Sequence, residues 1–330
     1  MSRLGTSSLI FFFALCQARA QQGSDSVVLR FGGDLLLAGH YEEAAQDTPG
    51  VAFEGFDLFR TDDISMVNHE CAITTRGTKV PKPYNFRMRP DYVEVLPQAG
   101  IDLVNLANNH IYDYGEEGLF DTISYLDSIG VLHVGAGRDQ AEARKPVVLH
   151  LKGRSVGFLG YYGGGEAPAA QGTKPGVAPR NTDVIAADIR ALRRDSVDYV
   201  VVTLHWGTEK AEYPDAAQQA FAHGVIDAGA DAVIGHHPHV LQGIERYKKG
   251  VIVYSLGNFV FGGNRRDTYD TALFEIRLYR SGVAFEVIPI RVQGWRARDL
   301  VGPEGIRIRK VFEELSSKFN NSIFIMKEKP

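Results

Sequence analysis

The chain has 330 residues, with 36 Lys plus Arg against 40 Asp plus Glu, a formal net charge of −4, 44% hydrophobic and 23% charged residues. That balance excludes a disordered polymer, a collagen-like chain and a coiled coil, and the length suffices for one large α/β domain with ample core. The slight acidity, with no basic stripe to neutralise phosphates, argues against nucleic acid as a partner.

Taken in chain order, the first element is a targeting segment. Arg3 precedes the apolar run Leu9–Cys16, and Ala18-Arg19-Ala20 has the small-x-small form of a cleavage site, so residues 1–20 are expected to be a signal peptide. The run falls well short of the roughly 20 residues of a membrane span. Export to the periplasm or cell exterior is the expectation, with retention at the membrane by an uncleaved signal as the alternative. Cys71 would then be the sole remaining cysteine, expected to be a buried small apolar residue rather than a reactive thiol.

Short β-branched runs follow, alternating with helical patterns. Strands are expected at Val27–Phe31, Ile64–Val67, Ile101–Leu106, Val131–Val134, Val147–Leu151, Val156–Gly160, Tyr199–Leu204, Ala232–Ile234 and Val251–Ser255. Leu119, Ile123 and Leu126 share a helical face that Gly130 closes. Ile185, Ile189 and Leu192 do so after a Thr182 cap, and Phe221, Val225 and Ala228 repeat the spacing. Such alternation implies βαβ units and buried sheets. Gly163–Pro175 reads as a loop, a candidate mobile lid. Ala272–Leu278 and Val283–Val292, joined by Arg280-Ser281-Gly282, read as an antiparallel hairpin. A last amphipathic helix over Pro303–Phe319 is expected to lie on the outside. One domain over 27–262, completed by the hairpin and helix of 263–330, is the expected organisation.

Polar, metal-capable residues recur just past the carboxyl ends of the apolar strands. Asp34 follows VVLRFGG, Asn68 and Glu70 follow ISMV, and Asn108, Asn109 and His110 follow IDLVNLA. His205 follows YVVVTL, His236, His237 and His239 follow DAVIG, and Asn258 follows VIVYSLG. Sites in open α/β sheets lie beyond these ends, so six such clusters can converge. Carboxylate, amide and imidazole donors suit Mn, Fe or Zn better than a thiolate site. On an extended segment His237 and His239 would point to one face and His236 to the other. A bridging carboxylate such as Glu70 would hold two cations about 3.5–4 Å apart.

The motifs GGD (32–34), NHE (68–70), LANNHIYDYG (106–115), LHWGTE (204–209), GHHPHVLQ (235–242) and YSLGNFVF (254–261) together resemble the bacterial capsule-synthesis CapA family, linked to poly-γ-glutamate. That family is similar in fold to calcineurin-like metallophosphoesterases, which implies an α/β layered β-sandwich flanked by helices. The resemblance also implies roles. Asp34 would be a ligand of the first metal and Glu70 the bridging carboxylate. Asn109, His205 and His237 would hold the second metal and His239 the first, with His110 as general acid of the Asn-His pair. Asp113 and Glu209 could orient His110 and His205 from behind, and His236 could stand there too. Asn68 and Asn258 are candidates to touch substrate. The chain departs from the wider metallophosphoesterase pattern in having Asp34-Leu35-Leu36 in place of Asp-x-His and Glu70 in place of Asp, so one or two divalent ions are expected.

Two functions compete on this footing. The first is an exported metal-dependent hydrolase or transferase acting on an anionic polymer such as poly-γ-glutamate, or on a phosphoester. The second is a non-catalytic polymer-binding or export component working with membrane-bound capsule-synthesis partners. Arg87 and Arg89, and Arg265 and Arg266, are read chiefly as solvated surface, with contact to an anionic polymer as the alternative.

Overall fold

The computed structural model describes residues 26–319; the expected signal peptide and the last eleven residues lie outside them. In chain order the main strands are β1 (Val27–Leu36), β2 (Ile64–His69), β3 (Leu103–Asn105), β4 (Leu132–Val134), β5 (Val147–Leu151), β6 (Arg154–Tyr162) and β7 (Tyr199–His205). They continue as β8 (Ala232–His236), β9 (Ile244–Tyr247), β10 (Gly250–Val253), β11 (Asn258–Phe261), β12 (Tyr269–Tyr279), β13 (Gly282–Gln293) and β14 (Arg296–Asp299). The longer helices are α1 (Gly115–Ile129), α2 (Thr182–Arg194), α3 (Ala216–Asp227) and α4 (Gly302–Ser316).

Two sheets form. The first runs β14-β13-β12-β1-β2-β3-β4, with β11 pairing the end of β1, and the second runs β9-β10-β8-β7-β6-β5. β1 to β4 are mutually parallel, as are β6, β7, β8 and β10, while β12, β13 and β14 extend the first sheet antiparallel. Period-two alternation divides each central strand between two cores. Leu29, Phe31, Ile64 and Met66 face Phe158, Val201, Ile234 and Val253 between the sheets. On the outer side of the first sheet, Val67 and Val104 meet Leu119, Ile123 and Leu126 of α1. On the outer side of the second, Val200, Val202 and Val233 meet Ile185 and Ile189 of α2 and Val225 of α3. Every central strand is thus covered on both faces, the layered α/β sandwich expected from the sequence.

Details differ from expectation. Asn181, not Thr182, caps α2, its side chain accepting from Asp183 and Val184 N–H; Asn181 carries the extended backbone that a cap needs and Thr182 is already helical. The last helix is not an outer cover: Ile308 and Phe312 of α4 insert into the core between the sheets. Ser316 at its end accepts from the Ile244 N–H at 2.8 Å. Cys71 is fully buried. Among the described residues no helix is long and apolar enough to cross a membrane.

One buried acid yields a stability prediction. Asp62, 7% exposed, precedes β2 and accepts from Ser65 Oγ at 2.5 Å. Burial pushes its carboxyl from 3.8 up to about 7, against the opposing pull of Ser65 and Arg30. Between about pH 4 and 7 the native state therefore keeps a proton that the unfolded chain has released, so stability falls as pH rises through this window. Asp62→Asn should gain stability relative to the native protein on going from pH 4 to pH 8, by on the order of 3 kcal/mol. Paired denaturant titrations at the two pH values check this; a pH-independent difference refutes it.

Candidate metal centre

The sandwich brings the carboxyl ends of β1, β2, β7 and β8 to one edge, and the polar clusters come with them. Asp34 sits near the end of β1, where Gly33 allows a close approach. A Cβ there would lie 2.0 Å from the Gly257 carbonyl oxygen, and the Asp34 N–H donates to that same oxygen at 2.9 Å. Asp34 and Asn68 are partners across the parallel β1/β2 pair, and His205 and His236 across β7/β8.

Two carboxylates and five imidazoles converge. Asp34 Oδ1 lies 3.5 Å from His236 Nδ1 and Oδ2 lies 3.2 Å from His239 Nδ1. The His237 N–H also points at Asp34 Oδ2, at 3.3 Å. Glu70 Oε1 stands among three imidazoles, 3.9 Å from His205 Nε2, 3.7 Å from His239 Nε2 and 4.0 Å from His110 Nε2. Both carboxylates are fully buried. Asp34, Glu70 and His205, and separately Glu70, His237 and His239, each bring one donor atom within 4.8 Å of the others. Asn109 Oδ1 lies 2.8 Å from His205 Nε2.

The donors fit a divalent cation. Glu70 Oε1 is buried with no hydrogen-bond partner, although a lone buried carboxylate oxygen is costly. Its spacing from the imidazole nitrogens is too long for hydrogen bonds but suits donors arranged around an ion. Burial, reinforced by the adjacent Asp34 charge, pushes the Glu70 carboxyl well above its ordinary value. Burial works the same way on Asp34, but the bonds from His236 and His239 outweigh it and hold that carboxyl well below 3.8. Burial also lowers His205 and His237, keeping the imidazoles neutral as ligation requires.

The histidine turn is not the extended segment expected. β8 ends at His236, and His237 and His239 take left-handed backbone conformations with φ of 98° and 56°. Such conformations are strained for residues bearing a Cβ and persist where surrounding structure enforces them. The two rings still meet the site, through a turn rather than through the pleat. His236 faces the site too, against Asp34, instead of pointing away.

His110 lies 5% exposed at the rim. Its Nδ1 is 2.8 Å from Asp113 Oδ2, which leaves Nε2 facing Glu70. Burial lowers its pKa and the Asp113 contact opposes the shift. The His110 ring also lies against Phe86, with centroids 4.4 Å apart. Asn258 Oδ1 meets His239 Nδ1 at 2.8 Å. Asn68 does not face the cleft. It is buried beneath the carboxylates, donating to Asp34 Oδ1 at 2.9 Å and Glu70 Oε2 at 3.1 Å, and close to His205 Nδ1. Glu209 is exposed and acts on Glu70 and His237 only through its charge; no hydrogen bond ties it to His205.

Lys82 escaped the sequence reading. Only 9% exposed at its side chain, it lies 2.5 Å from Asp113 Oδ1 and 3.3 Å from Glu166 Oε2, and donates to the Asn109 carbonyl at 2.6 Å. It therefore ties the Asn109–His110 turn to the 163–175 loop. Asn105 and Asn108, both buried, bind Asn68 Oδ1 from behind.

A family model described as bacterial capsule synthesis protein PGA_cap matches residues 28–263. The capsule biosynthesis protein CapA of Bacillus anthracis is 33% identical over 281 residues, covering 82% of this chain and 68% of that protein. The PGA biosynthesis protein CapA of Bacillus subtilis is 34% identical over 278 residues, covering 82% and 73%. Among solved structures, a hypothetical protein from Thermus thermophilus superposes with a TM-score of 0.53 at 18% identity, over 83% of this chain and 100% of that one, and so shares the fold.

Proposed function

Because this chain belongs to the bacterial capsule-synthesis PGA_cap family, we propose that it is an exported metal-dependent hydrolase or transferase acting on an anionic polymer or a phosphoester. The observation that carries the reading is the unpartnered, buried Glu70 Oε1 at the centre of a ring of imidazoles. Asp34, Glu70, Asn109, His205, His237 and His239 would hold one or two ions, with His236 set against Asp34. When bound, such an ion supplies Lewis-acid stabilisation of developing negative charge and makes water acidic enough to react near neutral pH.

The chain's own groups do the rest. Asp113 accepts from His110 Nδ1–H and fixes the ring, so a second proton, taken up on Nε2 in the imidazolium, would be the one available for transfer at the cleft. Burial makes the imidazolium a stronger acid but disfavours its formation, and the Asp113 carboxylate opposes that shift and supports the charged, proton-donating form. Phe86 limits water beside the ring.

The test uses protein purified without chelator, with metal measured by mass spectrometry. About one or two equivalents of Mn, Fe or Zn are expected, together with cleavage of polyglutamate or of a phosphoester that is lost on chelation and restored by metal. Protein that takes up no transition metal sinks the reading.

A further inference from the structure

His239 and Asn258 of the candidate centre also line a groove of about 720 Å³ that α4 borders with Val311, Glu314 and Leu315. Lys210, Asn264, Arg265 and Arg266 stand along it. Lys210 and Arg265 are exposed, and among the described residues neither has a carboxylate within ion-pair distance. Arg266 lies over the Tyr269 ring at 5.9 Å, and Lys318 adds a further cation over Tyr213 at 5.6 Å, on the edge of the groove. Asp270, also in the lining, is occupied by Arg291 and Arg307. Glu212 and Glu314 are the other acids there, so cations outnumber the free carboxylates. Leu241, Val311 and Leu315 add apolar surface to the same lining.

This mixture has a chemical reading. A compact phosphate needs converging donors at one point. Several cations sharing one long groove with apolar side chains suit a linear chain whose single charges recur between methylene groups. We propose that this groove is a subsite for the unreacted length of a linear polycarboxylate, with Lys210 and Arg265 pairing with its carboxylates, so that the protein prefers long chains to short ones. The choice of ligand rests on the anionic-polymer reading above, whereas the groove itself does not depend on metal chemistry. Contacts to the unreacted part of a substrate are also where an enzyme gains binding energy to use at the reacting bond.

The experiment measures affinity of the full chain for fluorescently labelled long polyglutamate and, by competition, for free glutamate and long-chain polyphosphate. The double variant Lys210→Ala/Arg265→Ala should bind long polyglutamate roughly tenfold or more weakly, with free glutamate, metal content and melting temperature unchanged. The salt dependence of polymer binding should fall by about two ion equivalents. The charge-conserving Lys210→Arg/Arg265→Lys should stay near the native affinity. Unchanged polymer affinity in the alanine variant overturns the proposal, as does an equal loss for free glutamate. Polyphosphate bound as tightly, with the same dependence on Lys210 and Arg265, overturns the polycarboxylate assignment. Polymer affinity that depends on these residues in a protein shown to hold no metal supports the groove and sinks the hydrolase reading instead.

Discussion

Asp34→Ala protein purified without chelator is expected to hold at least roughly tenfold less transition metal than the native protein, and to lose metal-dependent turnover with it. Asp34 is fully buried at the heart of the centre. Asn68 donates to one of its oxygens, His236 lies beside the same oxygen, and His239 and the His237 N–H face the other. Alanine removes the oxygen that each of the four faces, leaving Asn68 to Glu70 Oε2 and His239 Nδ1 to Asn258 Oδ1, and removes one of two negative charges available to a dication. Asp34→Asn separates charge from shape, since the amide keeps the volume and one acceptor oxygen. Metal loss in both variants marks the charge as decisive. Native metal content in Asp34→Ala would show that the ion sits elsewhere.

His110→Ala should behave in the opposite way: metal retained, turnover reduced by about 10²- to 10⁴-fold, and KM little changed. The imidazole stands at the rim, 4.0 Å from Glu70, and its firmest tie is to Asp113 rather than to the other imidazoles. Removing it deletes a proton donor without opening the donor ring. Metal content and steady-state kinetics on one preparation settle the matter. Full activity in His110→Ala would end its role as general acid, and loss of metal would reclassify it as part of the ion's cage. If instead neither variant altered polymer assembly in cells, the polymer-binding reading without catalysis would prevail.

How far the sequence reaches can be seen residue by residue. Asp34, Glu70, His205 and the 236–239 cluster were legible because each terminates an apolar run, and parallel strands deliver such ends to one edge. The hairpin of β12 and β13 was legible from alternation, since β12 and β13 pair over their whole length. Conformation past the strand ends was not. Pleat geometry stops applying after His236, so the left-handed backbone of His237 and His239 leaves no periodic trace, whereas the inward aim of His236 follows from the strand it shares with Ala232 and Ile234. Lys82 lies in a Pro-flanked loop with no pattern, and its burial depends on Asp113 and Glu166 arriving from distant parts of the chain. Asn68 was visible as a polar residue at a strand end. Its place beneath the carboxylates is set by its neighbours Asn105 and Asn108, whose side chains converge only after folding.

The donor atoms are shared between the two halves of the sandwich. Asp34 and Glu70 belong to the first sheet and its edge, whereas His205 and the 236–239 turn belong to the second. An ion held by both sets is a rivet through the open end of a structure whose layers are otherwise closed chiefly by hydrocarbon. Occupancy and folding are then thermodynamically linked, adding about 2.7 kcal/mol when free ion stands at a hundred times its dissociation constant. Scarcity of the ion would loosen the molecule along with silencing it, so the trace-element content of its surroundings would set how long each copy survives.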